Sequence, residues 1–252
     1  MPIIIHYKYN QMKYINFLAL FTMVLLNYLF ATIPLNNVST GQVSALYPTL
    51  LTPAGYTFSI WSAIYLLLLI FVVMQLLNKH PELNIQIGWW FTVSCVLNVS
   101  WLIAWQHLLI GVSTILMFLL LFSLVVINRI LTFSESRMAK AAFGLYLGWI
   151  CVAAIANVSI FLVSGAWDGC GVPDYVWAAG MVLIAAALTV LSLMKLRNPF
   201  LALSVIWGLS GILLTRMNDV PTVALAAAGA IVIIASALIV FLTMVGRKNH
   251  NA

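Results

Sequence analysis

Apolar runs of about 20 residues recur along the whole chain, and they constrain its fold more than any other feature. A hydrocarbon core of roughly 30 Å takes about 20 helical residues to cross. Hydrophobic residues make up 64% of the 252 positions and charged residues only 6%, too little polar surface to keep a globular protein of this size in solution. The polar and apolar alternation typical of membrane barrels is missing. The sequence therefore predicts an all-α integral membrane protein.

Charges and Pro or Gly breaks divide the apolar sequence into eight predicted spans. They cover roughly residues 14–33, 55–77, 86–106, 109–131, 139–163, 175–194, 199–214 and 221–245. Because Lys and Arg accumulate on the cytoplasmic side, the basic residues indicate the orientation. Eight spans with both termini cytoplasmic leave only Arg216 outside and put these residues inside: Lys8, Lys13, Lys79, Arg129, Arg137, Lys140, Lys195, Arg197, Arg247 and Lys248. We expect this arrangement in a bacterial plasma (inner) membrane.

Several classes of function are excluded by what the sequence lacks. It has no soluble domain, no Walker loop and no GxGxxG, and the net charge of +6 is scattered rather than gathered into a basic patch, so no nucleic-acid partner is expected. The three cysteines, Cys95, Cys151 and Cys170, show no CxxC or ligand-like spacing. The sequence therefore predicts neither a metal site nor a disulfide framework.

Aromatic and amide side chains repeat on one face of three predicted helices. They are Phe58, Trp61 and Tyr65 in the second span, Ser94, Asn98, Trp101 and Trp105 in the third, and Tyr146, Trp149, Ala153 and Asn157 in the fifth. Two interpretations are open. The amides and indoles either join helices and form interfacial belts, or they line a cleft for a flat, largely apolar molecule with a few polar edges.

Three motifs in these helices resemble, in order, those of the translocator protein or tryptophan-rich sensory protein (TspO/MBR) family. They are PAGYTFSIWSAIY (Pro53–Tyr65), LNVSW (Leu97–Trp101), and YLGW from Tyr146 with Asn157 eleven residues after that Tyr. The resemblance covers roughly residues 14–163, which it identifies as a five-helix bundle. It divides the chain into a TspO-like unit, 1–163, and about three additional transmembrane helices in 164–252.

The resemblance implies a site for porphyrins, sterols or synthetic aromatic ligands beneath the first loop. Residues 36–52 would form its lid, and the implied ligand contacts are Phe58, Trp61, Tyr65, Asn98, Trp101, Tyr146, Trp149 and Asn157. The chain departs from the family pattern at Ser59-Ile60, where members have Gly-Pro, and at Val158, where an aromatic residue is frequent. Val158 weakens the case for porphyrin-degrading chemistry.

The favoured function is a membrane sensor or carrier of a flat hydrophobic ligand. No cofactor is expected to be required, and porphyrin or heme is an implied ligand; the other partners are the lipid bilayer and, in one arrangement of the last helices, a second copy of the chain. One alternative is a porphyrin-degrading enzyme using Trp61 and Trp149, although the spans hold no general acid or base and the histidines lie elsewhere: His6, His80, His107 and His250. The other is a transporter permease or structural subunit.

Overall fold

The structure is a computed structural model that describes residues 2–79 and 86–250, with side chains described for 11–79 and 86–247. Within these ranges the chain is helical and has no strand. The α-helices are α1 (Pro2–Thr32), α2 (Thr40–Leu46), α3 (Ile60–Leu76), α4 (Trp89–Gln106), α5 (Ile110–Ile130), α6 (Arg137–Ser164), α7 (Asp174–Leu196), α8 (Pro199–Arg216) and α9 (Pro221–His250). Predictions that involve His6, Lys8, His80, Lys248 or His250 lie outside the described side chains.

Seven helical segments are long and apolar enough to cross a membrane, which confirms an all-α integral membrane protein. They are Gln11–Thr32, Gly55–Leu76, Ile110–Phe133, Arg137–Ser164, Asp174–Leu196, Pro199–Arg216 and Pro221–Arg247. The remaining predicted span forms α4, which is helical but less apolar because it carries four Trp, Asn98 and Gln106. The eighth crossing and the cytoplasmic termini stay predictions.

The short span predicted at 199–214 is a full helix of 18 residues, α8, and its start has a clear local cause. Asn198 is the N-cap, and its side-chain oxygen accepts the backbone N–H of Phe200 at 3.2 Å. Pro199 occupies the first turn, where a missing N–H costs no helical hydrogen bond.

The chain divides into two compact units. The first comprises residues 1–46 and 61–143. In it, α4 packs against α1, α2 and α5, and three buried rings form an edge-to-face cluster with centroids 4.9 to 5.8 Å apart: Phe71, Phe91 and Phe143. Aromatic packing of this kind stabilises the interior without polar atoms.

The second unit comprises residues 47–60 and 144–252. In it, α9 packs against both α7 and α8, and α8 also contacts the 3₁₀ turn Gly55–Ser59. Because α6 begins in the first unit and ends in the second, it contributes to both. The division at residue 163 stays a prediction.

Within the second unit, α6 and α8 approach closely at their glycines. A Cβ on Gly144 would lie 2.5 Å from Asn198 Oδ1, and one on Gly208 would lie 2.7 Å from Val152 Cγ2. A Cβ on Gly148 would collide with the backbone oxygen of Leu201. Small residues therefore let these two backbones approach closely, as is common where helices pack in membranes.

Candidate functional site

A pair of amides joins α1 to α4 in the first unit. Asn27 Nδ2 donates to Asn98 Oδ1 at 2.8 Å and to the backbone oxygen of Met23 at 2.9 Å. Asn98 is only 1% exposed, and lipid offers no hydrogen-bond partner to an amide that the protein leaves unpaired. Asn98 thus carries a structural bond, and its contact with a ligand stays a prediction.

The Asn27–Asn98 bond should be measurable as a coupling energy. We expect Asn27→Ala and Asn98→Ala to be non-additive by about 0.6 kcal/mol, the average for such bonds between transmembrane helices. The free energies of unfolding of the single and double variants in mixed micelles provide the measurement. Asn27 and Thr92 share no described bond, so their cycle should be additive and serves as the control. Equal coupling in both cycles would contradict a specific pair.

A second polar cluster joins α1, α3 and α4 closer to the start of α1. Asn16 Nδ2 donates to Gln75 Oε1 at 3.2 Å, and Thr92 Oγ1 donates to Asn16 Oδ1 at 2.9 Å. One turn earlier, Lys13 Nζ donates to Asn78 Oδ1 at 3.1 Å. Together with the amide pair, this cluster bonds α1 to α4 at two levels.

At the other end of α4, two indoles lie on one face. The rings of Trp101 and Trp105 stack with centroids 5.7 Å apart at 26°. Trp105 Nε1 donates to the backbone oxygen of Thr40 at 3.1 Å, which fastens α2 to α4. The Nε1 atom of Trp101 is buried, and no acceptor among the described residues binds it. The indole N–H of Trp101 is thus a donor without an acceptor in this part of the chain.

Gln106 bonds the end of α1 and the chain that leads into the predicted lid. Its Nε2 donates to the backbone oxygen of Phe30 at 2.8 Å, and its Oε1 accepts the backbone N–H of Leu35 at 3.0 Å. The side chain is fully buried. The end of α1 and Leu35, the residue before the predicted lid, are therefore fixed to α4 by one amide. Its Nε2 also lies 3.5 Å from Oγ1 of Thr40, within the predicted lid.

The second-span stripe differs from its prediction. Trp61 and Tyr65 do share a face of α3, with rings stacked at 5.3 Å and 27°. Phe58, however, lies in the 3₁₀ turn Gly55–Ser59, before α3 begins at Ile60. The turn forms because Thr57 Oγ1 and the Thr57 N–H both donate to the backbone oxygen of Ala54, at 2.6 and 3.0 Å. Phe58 therefore lies in a 3₁₀ turn that leads into α3, and not in the α-helix that carries Trp61 and Tyr65.

The other predicted contacts belong to the second unit. The ring of Phe58 meets that of Trp149 edge to face, with centroids 5.5 Å apart at 82°. Trp149 and Tyr146 are 2% and 0% exposed, and Asn157 is 2% exposed. The structure thus brings Phe58 onto Trp149 and places the polar positions of the fifth predicted span in the interior.

Arg216 holds the last part of the predicted lid in the second unit. Its Nε donates to the backbone oxygen of Leu50 at 3.2 Å, and its Nη2 donates to that of Thr49 at 2.9 Å. Its Nη1 forms a 2.6 Å ion pair with Asp219. The sequence pattern places Arg216 only as the one basic residue outside, whereas the structure shows that it also binds the backbone of two residues in the predicted lid.

A family model described as TSPO-like protein matches residues 13–241 of the chain. The chain belongs to the TSPO-like family. The match confirms the resemblance and runs on through the three C-terminal helices, beyond the residues that the motifs covered. No curated protein and no solved structure matches the chain.

In this TSPO-like protein, sequence reasoning missed residues whose roles depend on distant partners. Gln106 and Arg216 bind backbone groups 71 and 166 residues away along the chain, for example Leu35 N and Leu50 O, and no local spacing reports such a pairing. One signal was present: Gly144 and Gly148 form a small-xxx-small pair, which predicts a close helix approach. Among the described residues, no group of three or more His, Cys, Asp or Glu is arranged to hold a metal ion.

Proposed function

We propose that this TSPO-like protein is a membrane sensor or carrier that binds a flat, largely apolar ligand with a hydrogen-bond acceptor at its edge. The observation that carries the proposal is the buried indole N–H of Trp101, which no acceptor among the described residues binds. Leaving a buried donor unsatisfied costs about 1–3 kcal/mol. A ligand acceptor placed at Trp101 Nε1 recovers that free energy.

The surroundings of Trp101 suit a planar molecule. Its ring stacks on Trp105, which is only 4% exposed and whose own N–H is already bound by Thr40, so the half-buried ring of Trp101 carries the one unused donor of the pair. Tetrapyrroles such as porphyrin and heme combine a flat apolar ring with carboxylate acceptors, and sterols combine an apolar body with a hydroxyl. The eight residues marked by the family resemblance remain the predicted ligand contacts.

The test is a titration of the detergent-solubilised protein with protoporphyrin IX, followed by the Soret absorbance. Trp101→Phe keeps an aromatic ring but removes the N–H, so we expect Kd to rise about five- to tenfold, equivalent to about 1–1.4 kcal/mol. Trp89→Phe is the matched control, because Trp89 lies on the same helix and is 55% exposed. Equal affinity of wild type and Trp101→Phe would sink the proposed role of the indole.

One observation favours a second candidate, the permease or structural subunit. Asn98, a predicted ligand contact, already bonds Asn27 on another helix, as a residue that serves only packing would. In that case protoporphyrin absorbance would change linearly with concentration and identically in both Trp variants.

We also propose that the chain crosses the membrane eight times, α4 included, with both termini cytoplasmic in a bacterial plasma membrane. The distribution of basic residues supports this orientation.

A further inference from the structure

We propose that α8 positions Phe58, a predicted ligand contact, by holding residues 49–57 in place. We call residues 49–57 the strap. The part of this inference that concerns ligand affinity rests on the proposed function, whereas the anchoring of the strap does not. Three independent contacts within the second unit carry it.

The first contact is the guanidinium group of Arg216. All three of its nitrogens are used: two bind the strap carbonyls of Thr49 and Leu50, and the third pairs with Asp219. The side chain is 16% exposed, so the bonds are largely shielded from solvent. Because Asp219 fixes the orientation of the planar group, the two remaining nitrogens donate to consecutive strap carbonyls.

The second contact joins aromatic and hydroxyl groups. Trp207 Nε1 donates to the backbone oxygen of Thr57 at 2.9 Å, and the ring of Trp207 meets that of Tyr56 edge to face at 5.3 Å. The Tyr56 hydroxyl lies 3.0 Å from Ser210 Oγ. One face of α8 thus binds both the backbone and a side chain of the strap.

The third contact is a close approach at Gly211. The backbone N–H of Ala54 donates to the Gly211 oxygen at 3.3 Å. A Cβ on Gly211 would collide with Thr57 Cγ2 and would lie 3.0 Å from Pro53 Cβ and 3.2 Å from Ala54 N. Only a residue without a side chain permits the strap to lie this close to the helix.

These contacts end one residue before Phe58. Thr57 is bonded by Trp207 and packed against Gly211, and Phe58 follows directly with its ring on Trp149. Residues of α8 therefore act on a predicted ligand contact through the backbone. They are positioning residues, and we expect ligand affinity to depend on them indirectly, through the position of Phe58.

The experiment compares Gly211→Ala with wild type by two readouts. The first is hydrogen exchange of the backbone amides in residues 49–58, and the second is the Kd for protoporphyrin IX. We expect Gly211→Ala to speed exchange there about tenfold, and to raise Kd about tenfold through the misplaced Phe58. Gly180→Ala is the matched control, because a Cβ at this helical position in α7 meets nothing within 4 Å. It should leave both readouts unchanged.

A second substitution tests whether the collision itself is the cause. Thr57→Ser removes Cγ2, the strap atom that the new Cβ meets first, and keeps the Oγ1 that bonds Ala54. In the Gly211→Ala background it should restore part of both readouts. Trp207→Phe removes the N–H bonded to Thr57, together with part of the ring that meets Tyr56, but keeps an aromatic side chain. It gives the same comparison in a milder variant, so the test does not depend on Gly211→Ala folding.

The outcomes separate this inference from the proposed function. Unchanged exchange of residues 49–58 in both Gly211→Ala and Trp207→Phe overturns the anchoring. Faster exchange with an unchanged Kd overturns the positioning of Phe58 for ligand. If wild type binds no protoporphyrin, the proposed function fails, while the exchange measurement still decides whether α8 holds the strap.

Discussion

Replacing Gly148 by Ala is expected to lower the free energy of unfolding by about 3 kcal/mol, the upper part of the range for overpacking. The added Cβ would collide with the backbone oxygen of Leu201 and lie 2.8 Å from Ser204 Cβ. A flexible side chain can turn aside, but a carbonyl inside a helix moves only with the helix. The collision can therefore be relieved only if α6 and α8 separate, which would weaken the contacts all along their crossing.

Two further Gly→Ala substitutions test this explanation. The three atoms nearest to a Cβ on Gly144 all belong to the Asn198 side chain, which can rotate at the expense of its cap on α8, so we expect a smaller loss of about 1 kcal/mol. Gly180→Ala meets open space and should be neutral or slightly stabilising. Denaturant unfolding in mixed micelles gives the ranking, and equal stability of Gly148→Ala and Gly180→Ala would contradict the close approach.

Replacing Gln106 by Leu is expected to cost about 2–4 kcal/mol and to loosen the first half of the predicted lid. The buried amide serves the N–H of Leu35 and the carbonyl of Phe30, and Leu leaves both groups without that partner. A fully buried backbone group left unsatisfied costs about 1–3 kcal/mol, and because these two groups are only part-buried the expected loss stays in the lower part of the summed range. The same change should speed chymotrypsin cleavage next to Leu46 and Tyr47, because the Gln106 amide also lies 3.5 Å from the hydroxyl of Thr40, at the start of α2.

The matched control for Gln106→Leu is Gln42→Leu, on α2. Gln42 is exposed and makes only local bonds with Ser39, so its loss should stay within about 0.5 kcal/mol. If the two Leu variants unfold at the same denaturant concentration, Gln106 does not support the lid.

Much of the fold follows from sequence patterns, because in lipid each helix is specified by its own apolar length. The span predicted at 109–131 is the helix Ile110–Ile130, and that at 139–163 is Arg137–Ser164. The contacts between helices are harder to predict, because they depend on surfaces that come together only in the folded protein. Asn98 belongs to a predicted stripe, yet its bonding partner Asn27 is 71 residues away and no spacing in the sequence indicates that pair. Phe58 fits the helical spacing of Trp61 and Tyr65 in the sequence, but it lies in the 3₁₀ turn before α3 begins.

The polar bonds of α1 also impose an order on how this chain is made. Asn16 and Asn27 bond residues 59 and 71 positions later in the sequence, Gln75 and Asn98. At a synthesis rate of about 5–20 residues per second, those partners emerge some 3 to 14 s after α1. During that interval α1 has two amides in the membrane without their final acceptors. We therefore expect newly made α1 to stay beside the insertion machinery, where water can bond its amides, until α3 and α4 have been inserted.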